Sequence, residues 1–307
     1  MNGSLVQPRQ ILKADADSFL KHNVLDLFSL KGRTIVITGG SRGIGLALAF
    51  AVAEVGGNVA ILDILSEPHP HYLELEKFDV KVKLYKSDVT NFGILKATFD
   101  EIVQDFGRID GLVTAAGICP DEPFVDRKPE SVARCMNINV LGTYYAAQLA
   151  TAQMQRQEPL KDVTRRGSIV FIASIAAYVA SKGQTTSDYC ASKGAVLSLA
   201  KALGVELAMS GIRVNSISPG SVAILFKHHF SLLIKSMSRY MMTDMTLDLA
   251  QKYPHLGAIM TNEPPMRRMG DRTDLKGLIV YLLSDASSYT TSEDHLVTGG
   301  IHAGRLL

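Results

Sequence analysis

Two side chains suited to proton transfer stand four positions apart in the run Tyr189-Cys190-Ala191-Ser192-Lys193. The surrounding pattern predicts a helix near 188–209, and positions i and i+4 of a helix share a face. A free phenol titrates at about pH 10; a neighbouring ammonium favours its anion. The pair is therefore expected to bring a tyrosine toward working pH, where it can give or take a proton. A second chemical feature lies upstream. The apolar run Thr-Ile-Val-Ile enters Thr38-Gly39-Gly40-Ser41-Arg42-Gly43-Ile44-Gly45, and an apolar helical stretch, LALAFAVAEVG, follows. A glycine turn between strand and helix lets backbone N–H groups approach a pyrophosphate at the helix N-terminus, where the helix dipole favours negative charge. Glycines alone would serve any tight turn, so it is the strand before and the helix after that point to a dinucleotide. Asp63 closes the next apolar run, where a carboxylate would hydrogen-bond an adenosine ribose. It should repel a 2′-phosphate and so favours NAD, whereas Arg42 offers that phosphate a cation and is compatible with NADP. After the third apolar run, Ser87-Asp88-Val89-Thr90 sets a carboxylate where an adenine ring would lie. Asp88 or Thr90 would equally serve as a helix N-cap.

Such residues need strands that end on one side of a sheet. Apolar, β-rich runs at 34–38, 58–62, 81–85, 109–115, 168–173 and 212–218 alternate with helical stretches from about Gly43, through Phe106, around 130–156 and near 188–209. Strands separated by helix-length connections imply repeated βαβ units. The expected fold is a single α/β domain of the Rossmann type, a doubly wound parallel sheet of about seven strands flanked by helices. The runs lack polar alternation, as strands covered on both faces do. Residues 1–30, with a weak apolar stripe of Leu20, Val24, Leu27 and Phe28, suit a lead-in arm lying on a domain of residues 31–307.

The chain has 307 residues, 47% hydrophobic and 20% charged, with 32 basic against 30 acidic side chains. That balance, dispersed along the chain, gives no concentrated basic face for nucleic acid. No charge-free run is long enough to span a bilayer and no apolar leader opens the chain, so a cytoplasmic protein without a membrane partner is expected. Cys119, Cys135 and Cys190 are odd in number and show no CxxC pattern, which suggests a reducing compartment without disulfides. His69/His71 and His228/His229 lack acidic helpers at metal-site spacing, so no metal is expected.

The turn TGGSRGIG, the Asn-Val-Leu-Gly stretch at 139–142, Ser174, the YxxxK motif and Ser218-Pro219-Gly220 together closely resemble the short-chain dehydrogenase/reductase family, over roughly residues 30–300. Within it, the lead-in Asp26-Leu27-Phe28-Ser29-Leu30-Lys31-Gly32 and the tail SDASSYTTSEDHLVTGG look most like the fungal polyol and ketose reductases, such as the arabinitol, mannitol and sorbose enzymes. The resemblance implies an NAD- or NADP-dependent oxidoreductase that interconverts a secondary alcohol and a ketone. Tyr189 would be the general acid in reduction and the base in oxidation, its pKa lowered further by the positive nicotinamide. Lys193 would also bind the nicotinamide ribose, Ser174 the substrate oxygen, and Asn139 would hold a local helix distortion and a proton-relaying water. Thr38, Gly39, Ser41, Arg42, Gly43, Ile44, Gly45, Asp63, Asp88, Val89, Ala116, Gly117, Pro219, Gly220 and Thr243 would line the cofactor. Family members are commonly tetramers through the helices near 130–156 and 188–209, so a homotetramer or homodimer is expected. Singly, each catalytic candidate has a bland alternative: a packing tyrosine, a solvated lysine, a turn serine.

The chain departs from the family pattern in places. Thr114-Ala115-Ala116-Gly117 stands where the family usually carries Asn-Asn-Ala-Gly, and Ser174 lies further from Tyr189 than is commonest, though polyol-type members also lengthen this loop. The larger departure follows Gly220. The family's usual Pro-Gly-x-x-x-Thr resumes at Tyr240-Met241-Met242-Thr243, as if residues 221–239, SVAILFKHHFSLLIKSMSR, had been inserted. That stretch has no acidic residue, and its ends permit GT and AG splice junctions in one phase. It reads either as translated intron sequence or as a lengthened substrate lid, since such lids carry specificity. A polyol/ketose pair is the first substrate expected and a ketone of fungal secondary metabolism the alternative. A non-catalytic dinucleotide-binding regulator is the rival of another class.

Overall fold

A computed structural model of the chain describes residue 20, residues 23–159, 165–180, 184–220, 262 and 264–304. Thr243, His228, His229 and the 221–239 stretch lie outside the described residues. The lead-in ends in a single helical turn, α1 (Val24–Leu27). Then follow β1 (Thr34–Thr38), α2 (Gly43–Glu54), β2 (Asn58–Asp63), β3 (Val82–Lys86), α3 (Phe92–Phe106) and β4 (Gly111–Thr114). The second half holds α4 (Pro129–Met136), α5 (Gly142–Arg156), β5 (Gly167–Ile172), α6 (Ser187–Glu206), β6 (Ile212–Pro219), α7 (Lys276–Leu283) and β7 (Asp294–Val297). The seven strands form one sheet in the order β3-β2-β1-β4-β5-β6-β7, and every pair is parallel. This is the doubly wound fold expected, with the strand order reversing between β1 and β4.

Side chains alternate across a strand, and here both sets are apolar because both faces are covered. Ile35, Ile37, Val59, Ile61, Val113 and Val170 join α2 and α7 in one core. Val36, Ala60, Leu62, Leu112, Ile169 and Phe171 join α3, α5 and α6 in the other. The sheet is thus held rigid from both sides, and its C-terminal strand ends share one rim.

Three expectations change. The apolar stripe of the lead-in is only partly used: one helical turn lays a single edge on the domain, so Leu20 and Val24 face solvent. Phe28 rests with its ring centroid 6.5 Å from that of Tyr281. The continuous helix expected around 130–156 is broken into α4 and α5 by a π turn at Asn137–Leu141, a local distortion at Asn139 as the family resemblance implied. Finally, α7 and β7 fall on no run singled out from the sequence; DHLV of β7 is short, polar at its start and half-buried throughout.

Candidate active site

The glycine turn sits at the crossover between β1 and β4, where open α/β sheets bind ligands. Gly39 has φ +68°, and a Cβ there would lie 2.6 Å from the Ala116 nitrogen, so only glycine lets the turn pass beside β4. Gly45 packs as closely, since a Cβ on it would run into the Gly39 carbonyl. Gly43 and Ile44 open α2, whose N-terminus has no side-chain cap at Arg42 and no acidic residue in its first turn. Its unpaired N–H groups and positive dipole end therefore have no anionic partner from their own helix. Thr38 joins the turn to β4: its carbonyl accepts the Ala115 N–H at 3.0 Å and its hydroxyl accepts the Ala116 N–H at 3.4 Å.

Asp63 ties this turn to β2. Its Oδ2 accepts the Ser41 N–H at 3.1 Å and the Ser41 hydroxyl at 2.5 Å, and its Oδ1 accepts the Leu65 N–H at 3.1 Å. A carboxylate has about four acceptor positions, so one remains for a ribose hydroxyl. Arg42 is exposed at the same edge. Asp88 does not cap α3; its Oδ1 accepts the N–H and hydroxyl of Thr90 at 2.9 and 2.8 Å. The cap is Asn91, which accepts the Ile94 N–H at 3.0 Å, because the helix begins later than the Ser-Asp-Val-Thr run suggests. Val89 packs against Gly142 at the start of α5. An unneutralised helix N-terminus, a close backbone cradle and a carboxylate with an acceptor position to spare fit a dinucleotide.

On the other side of β4 the remaining candidates converge. Lys193, buried in α6, donates from Nζ to the Ile172 carbonyl at the end of β5, 2.7 Å away, and lies 5.6 Å from the Tyr189 ring centroid. Ser174, just beyond β5, accepts the Ala176 N–H at 3.1 Å, and its side chain is near enough to the Tyr189 phenol to favour the phenol's anion. Asn139 sits fully buried in the π turn. Its Oδ1 accepts the Ile118 N–H and its Nδ2 donates to the Ile118 carbonyl, both at 2.9 Å. Nδ2 also donates to the Ser192 hydroxyl at 2.9 Å, while the Asn139 carbonyl accepts the Thr143 hydroxyl at 2.8 Å. One amide thus clamps the chain leaving β4 to the Ser192 face of α6. Gly117 faces Asn139 and Lys193, and Gly220 donates to the Val297 carbonyl at 2.9 Å, beside Pro219 at the end of β6.

The electrostatics differ from the simple Tyr–Lys expectation. Burial raises the Tyr189 phenol above its ordinary value, the neighbouring Cys119 adds to this, and the Ser174 side chain opposes it. Burial lowers Lys193 to about 8. With the lysine's ammonium turned onto the Ile172 carbonyl, desolvation outweighs its pull on the phenol. Burial also pushes the Cys119 thiol up to about 12. Cys119, Cys135 and Cys190 are all free thiols.

A family profile described as enoyl-(acyl carrier protein) reductase matches residues 39–302. NADP-dependent mannitol dehydrogenase of Hypocrea jecorina is 33% identical over 285 residues, 91% of this chain and 96% of its own length. Sorbose reductase of Schizosaccharomyces pombe is 35% identical over 282 residues, covering 89% and 97% of the two chains. The chain belongs to the short-chain dehydrogenase/reductase family. The crystal structure of a short-chain dehydrogenase/reductase from Mycobacterium marinum superposes with a TM-score of 0.77 at 34% identity, covering 91% of this chain and 99% of that one. As a family member the protein is an NAD(P)-dependent oxidoreductase acting on CH–OH groups of small molecules. Among the described residues, no helix is long and apolar enough to cross a membrane, and no group of three His, Cys, Asp or Glu could hold a metal ion.

One pair in this short-chain dehydrogenase/reductase escaped the sequence reading. Arg127, on the strap that leaves β4, forms an ion pair with Asp188, the residue before Tyr189, and both side chains are only 2% exposed. Asp188 Oδ1 also accepts the Tyr189 N–H at 2.7 Å, and Arg127 donates to the Glu122 carbonyl at 2.6 Å and to that of Thr185. Asp121 Oδ1 takes the Thr185 N–H and hydroxyl at 2.8 and 2.7 Å. The strap is therefore fastened to the segment that presents Tyr189. The acidic neighbour of Tyr189 was the only local signal; its partner lies 61 residues upstream.

Proposed function

We propose that the protein interconverts a secondary alcohol and a ketone of the polyol/ketose class, with Tyr189 as general acid/base. The observation that carries this reading is the gathering at the C-terminal rim of the sheet of the Tyr189 phenol, Ser174, which acts on that phenol, and Lys193, 5.6 Å from the Tyr189 ring. Two hydroxyls set together suit a carbonyl oxygen: Ser174 donates to it and Tyr189 gives it a proton as it becomes an alkoxide. A bound nicotinamide supplies or accepts the hydride. In oxidation Tyr189 takes the proton back. Burial keeps the phenol protonated in the free protein, which is the state that reduction requires. The names of the mannitol and sorbose relatives support the substrate class.

The glycine turn, the first turn of α2 and Asp63 would hold the dinucleotide. The carboxylate of Asp63 at the end of β2 favours NAD, because a 2′-phosphate there would face it; Arg42 is the group through which NADP would still be accepted. Residues 221–239 are read as translated intron sequence whose removal joins Pro219-Gly220 to Tyr240 and brings Thr243 to the cofactor side. A lengthened lid is the alternative. Mature transcripts lacking those codons support the first, and transcripts that all retain them support the second. The exposed Leu141 and Tyr144 of the π turn and α5 suit a contact between copies of the chain.

The test is turnover of a panel of polyols, ketoses and bulkier ketones with both cofactors, by wild type and Tyr189→Phe. Wild type should prefer a polyol or ketose, and losing the hydroxyl should cut its turnover by about 10²–10⁴-fold. Unchanged turnover in a folded Tyr189→Phe variant overturns the mechanism; a preference for bulky ketones overturns the substrate class alone.

A further inference from the structure

The opposite rim of the sheet, where the strands begin, holds a cavity of about 20 Å³ lined by Arg33, Asp110, Arg165, Arg213, Leu283 and Asp285, with Arg166 at its edge. It gathers four guanidinium groups from three places in the chain: the residue before β1, the two residues before β5, and the start of β6. The carboxylates do not balance them. Asp110 is taken by Arg108, at 2.7 to 2.9 Å, and by the Thr34 N–H at 2.9 Å. Asp285 is shared between Arg33 at 2.6 Å and Arg165 at 3.0 Å.

Arg213 has no carboxylate partner among the described residues. It is only 7% exposed, and its two terminal nitrogens donate to the carbonyls of Thr290, Leu282 and Ser284 at 2.7 to 3.3 Å. Its Nε has no hydrogen-bond partner, nor has one terminal nitrogen of Arg165. The carbonyls at the end of α7 offset part of this charge, as the negative end of a helix does. They leave two buried donors unmet and three guanidiniums facing a single shared carboxylate. A buried charge without a counter-charge is costly. Burial and the nearby Arg165 and Arg33 lower Arg213 to about 10.

We infer that this cavity binds a single small monovalent anion, of the halide class, with chloride as its ordinary occupant. A hole of about 10–15 Å³ admits one water-sized sphere, so a space of about 20 Å³ suits a monatomic ion better than a tetrahedral one. A water could accept from the two unmet donors, but it would add no negative charge to the partial compensation that Asp285 and the α7 carbonyls provide. Placed at the strand N-termini, the anion stays remote from the rim that carries Tyr189. Its role is to lock β5, β6 and the end of α7 together, and it makes the fold, rather than the hydride transfer, sensitive to halide.

The test has two arms. Crystals of the full chain soaked in sodium bromide should show an anomalous peak within hydrogen-bond reach of Arg213 Nε and Arg165. In solution, the unfolding midpoint should rise by about 2–4 °C for each tenfold increase in chloride above Kd, with sodium gluconate holding ionic strength constant. Arg213→Met removes the central donor but also three carbonyl bonds; Arg165→Gln, on a half-buried side chain, keeps the fold testable. Either variant should lose the chloride response. A water in place of bromide, an equal response to gluconate, or an undiminished response in Arg165→Gln overturns the assignment.

Discussion

Replacing Arg127 by Met isolates the pair that fastens the strap to Tyr189. In wild type both partners are almost wholly buried, and the outer oxygen of Asp188 has no hydrogen-bond partner. Methionine fills much of the volume but leaves Asp188 as a buried anion whose remaining support is the Tyr189 N–H. Removing one partner of a buried ion pair costs about 3–5 kcal/mol, and the lost bonds to the Glu122 and Thr185 carbonyls put the expectation at the upper end. Asp188→Asn added to Arg127→Met removes the stranded charge yet keeps an oxygen for the Tyr189 N–H, so the double variant should recover about half of the loss. The assay is urea unfolding at pH 5 and pH 8. In Arg127→Met the unpaired carboxyl takes up a proton more readily when folded than when unfolded. Its folded-state pKa is therefore raised, and the deficit against wild type should be smaller at pH 5 and larger at pH 8. The double variant should show no such pH dependence. Turnover should fall in Arg127→Met beyond any loss of folded protein, because the strap no longer fixes the segment that carries the phenol. A single variant within about 1 kcal/mol of wild type, or a double variant no more stable than the single, refutes the idea that this pair positions Tyr189.

Other perturbations separate the remaining parts of the site. Asp63→Ala should raise the relative affinity for NADPH over NADH and loosen the glycine turn, since Ser41 loses both of its bonds to that carboxylate; an unchanged cofactor ratio in direct titrations leaves Asp63 a turn residue only. Lys193 has its folded-state pKa lowered to about 8, so between pH 8 and 10 the unfolded chain binds its proton more firmly. Wild-type stability should therefore rise with pH across that window relative to Lys193→Met, by about 2–3 kcal/mol, and parallel profiles in denaturant refute it. Deleting residues 221–239 should raise turnover and tighten cofactor binding if they are intron-derived; a deletion that abolishes substrate selectivity but spares cofactor affinity supports the lid.

What the sequence made legible is what neighbours in the chain decide. A positive φ at Gly39 demands a residue without a side chain, and the glycine spacing announces that turn wherever the fold carries it. Strands buried on both faces advertise themselves as unbroken apolar runs, so β1, β2 and β4 to β6 could be read directly. β7 could not, because its Asp294 is there to accept the Ser216 and Ser218 hydroxyls of β6, at 2.6 and 3.0 Å, and such a partner is set by pairing across 76 to 78 positions. The π turn has the same origin: Asn139 meets the Ile118 backbone, 21 residues away, and periodicity within 130–156 carries no trace of that.

The Tyr189 phenol shows why residue types at the right spacing still leave chemistry open. Four-residue spacing correctly brings Lys193 beside the ring, yet the direction of the shift depends on where the ammonium points and how dry the pocket is. Here it points at the Ile172 carbonyl, and burial wins. On the proposed mechanism the free protein is thus poised as an acid, ready for ketone reduction. Alcohol oxidation needs positive charge that this chain alone does not direct at the phenol, and the oxidised nicotinamide is what would bring it. The pH dependence of oxidation should then lie well below that of the free phenol only when the oxidised cofactor is bound. Titrating Tyr189 by its ultraviolet difference spectrum, with and without oxidised cofactor and with Tyr189→Phe as the reference, measures this directly. Equal pKa values in the two states refute the division of labour between Lys193 and the cofactor.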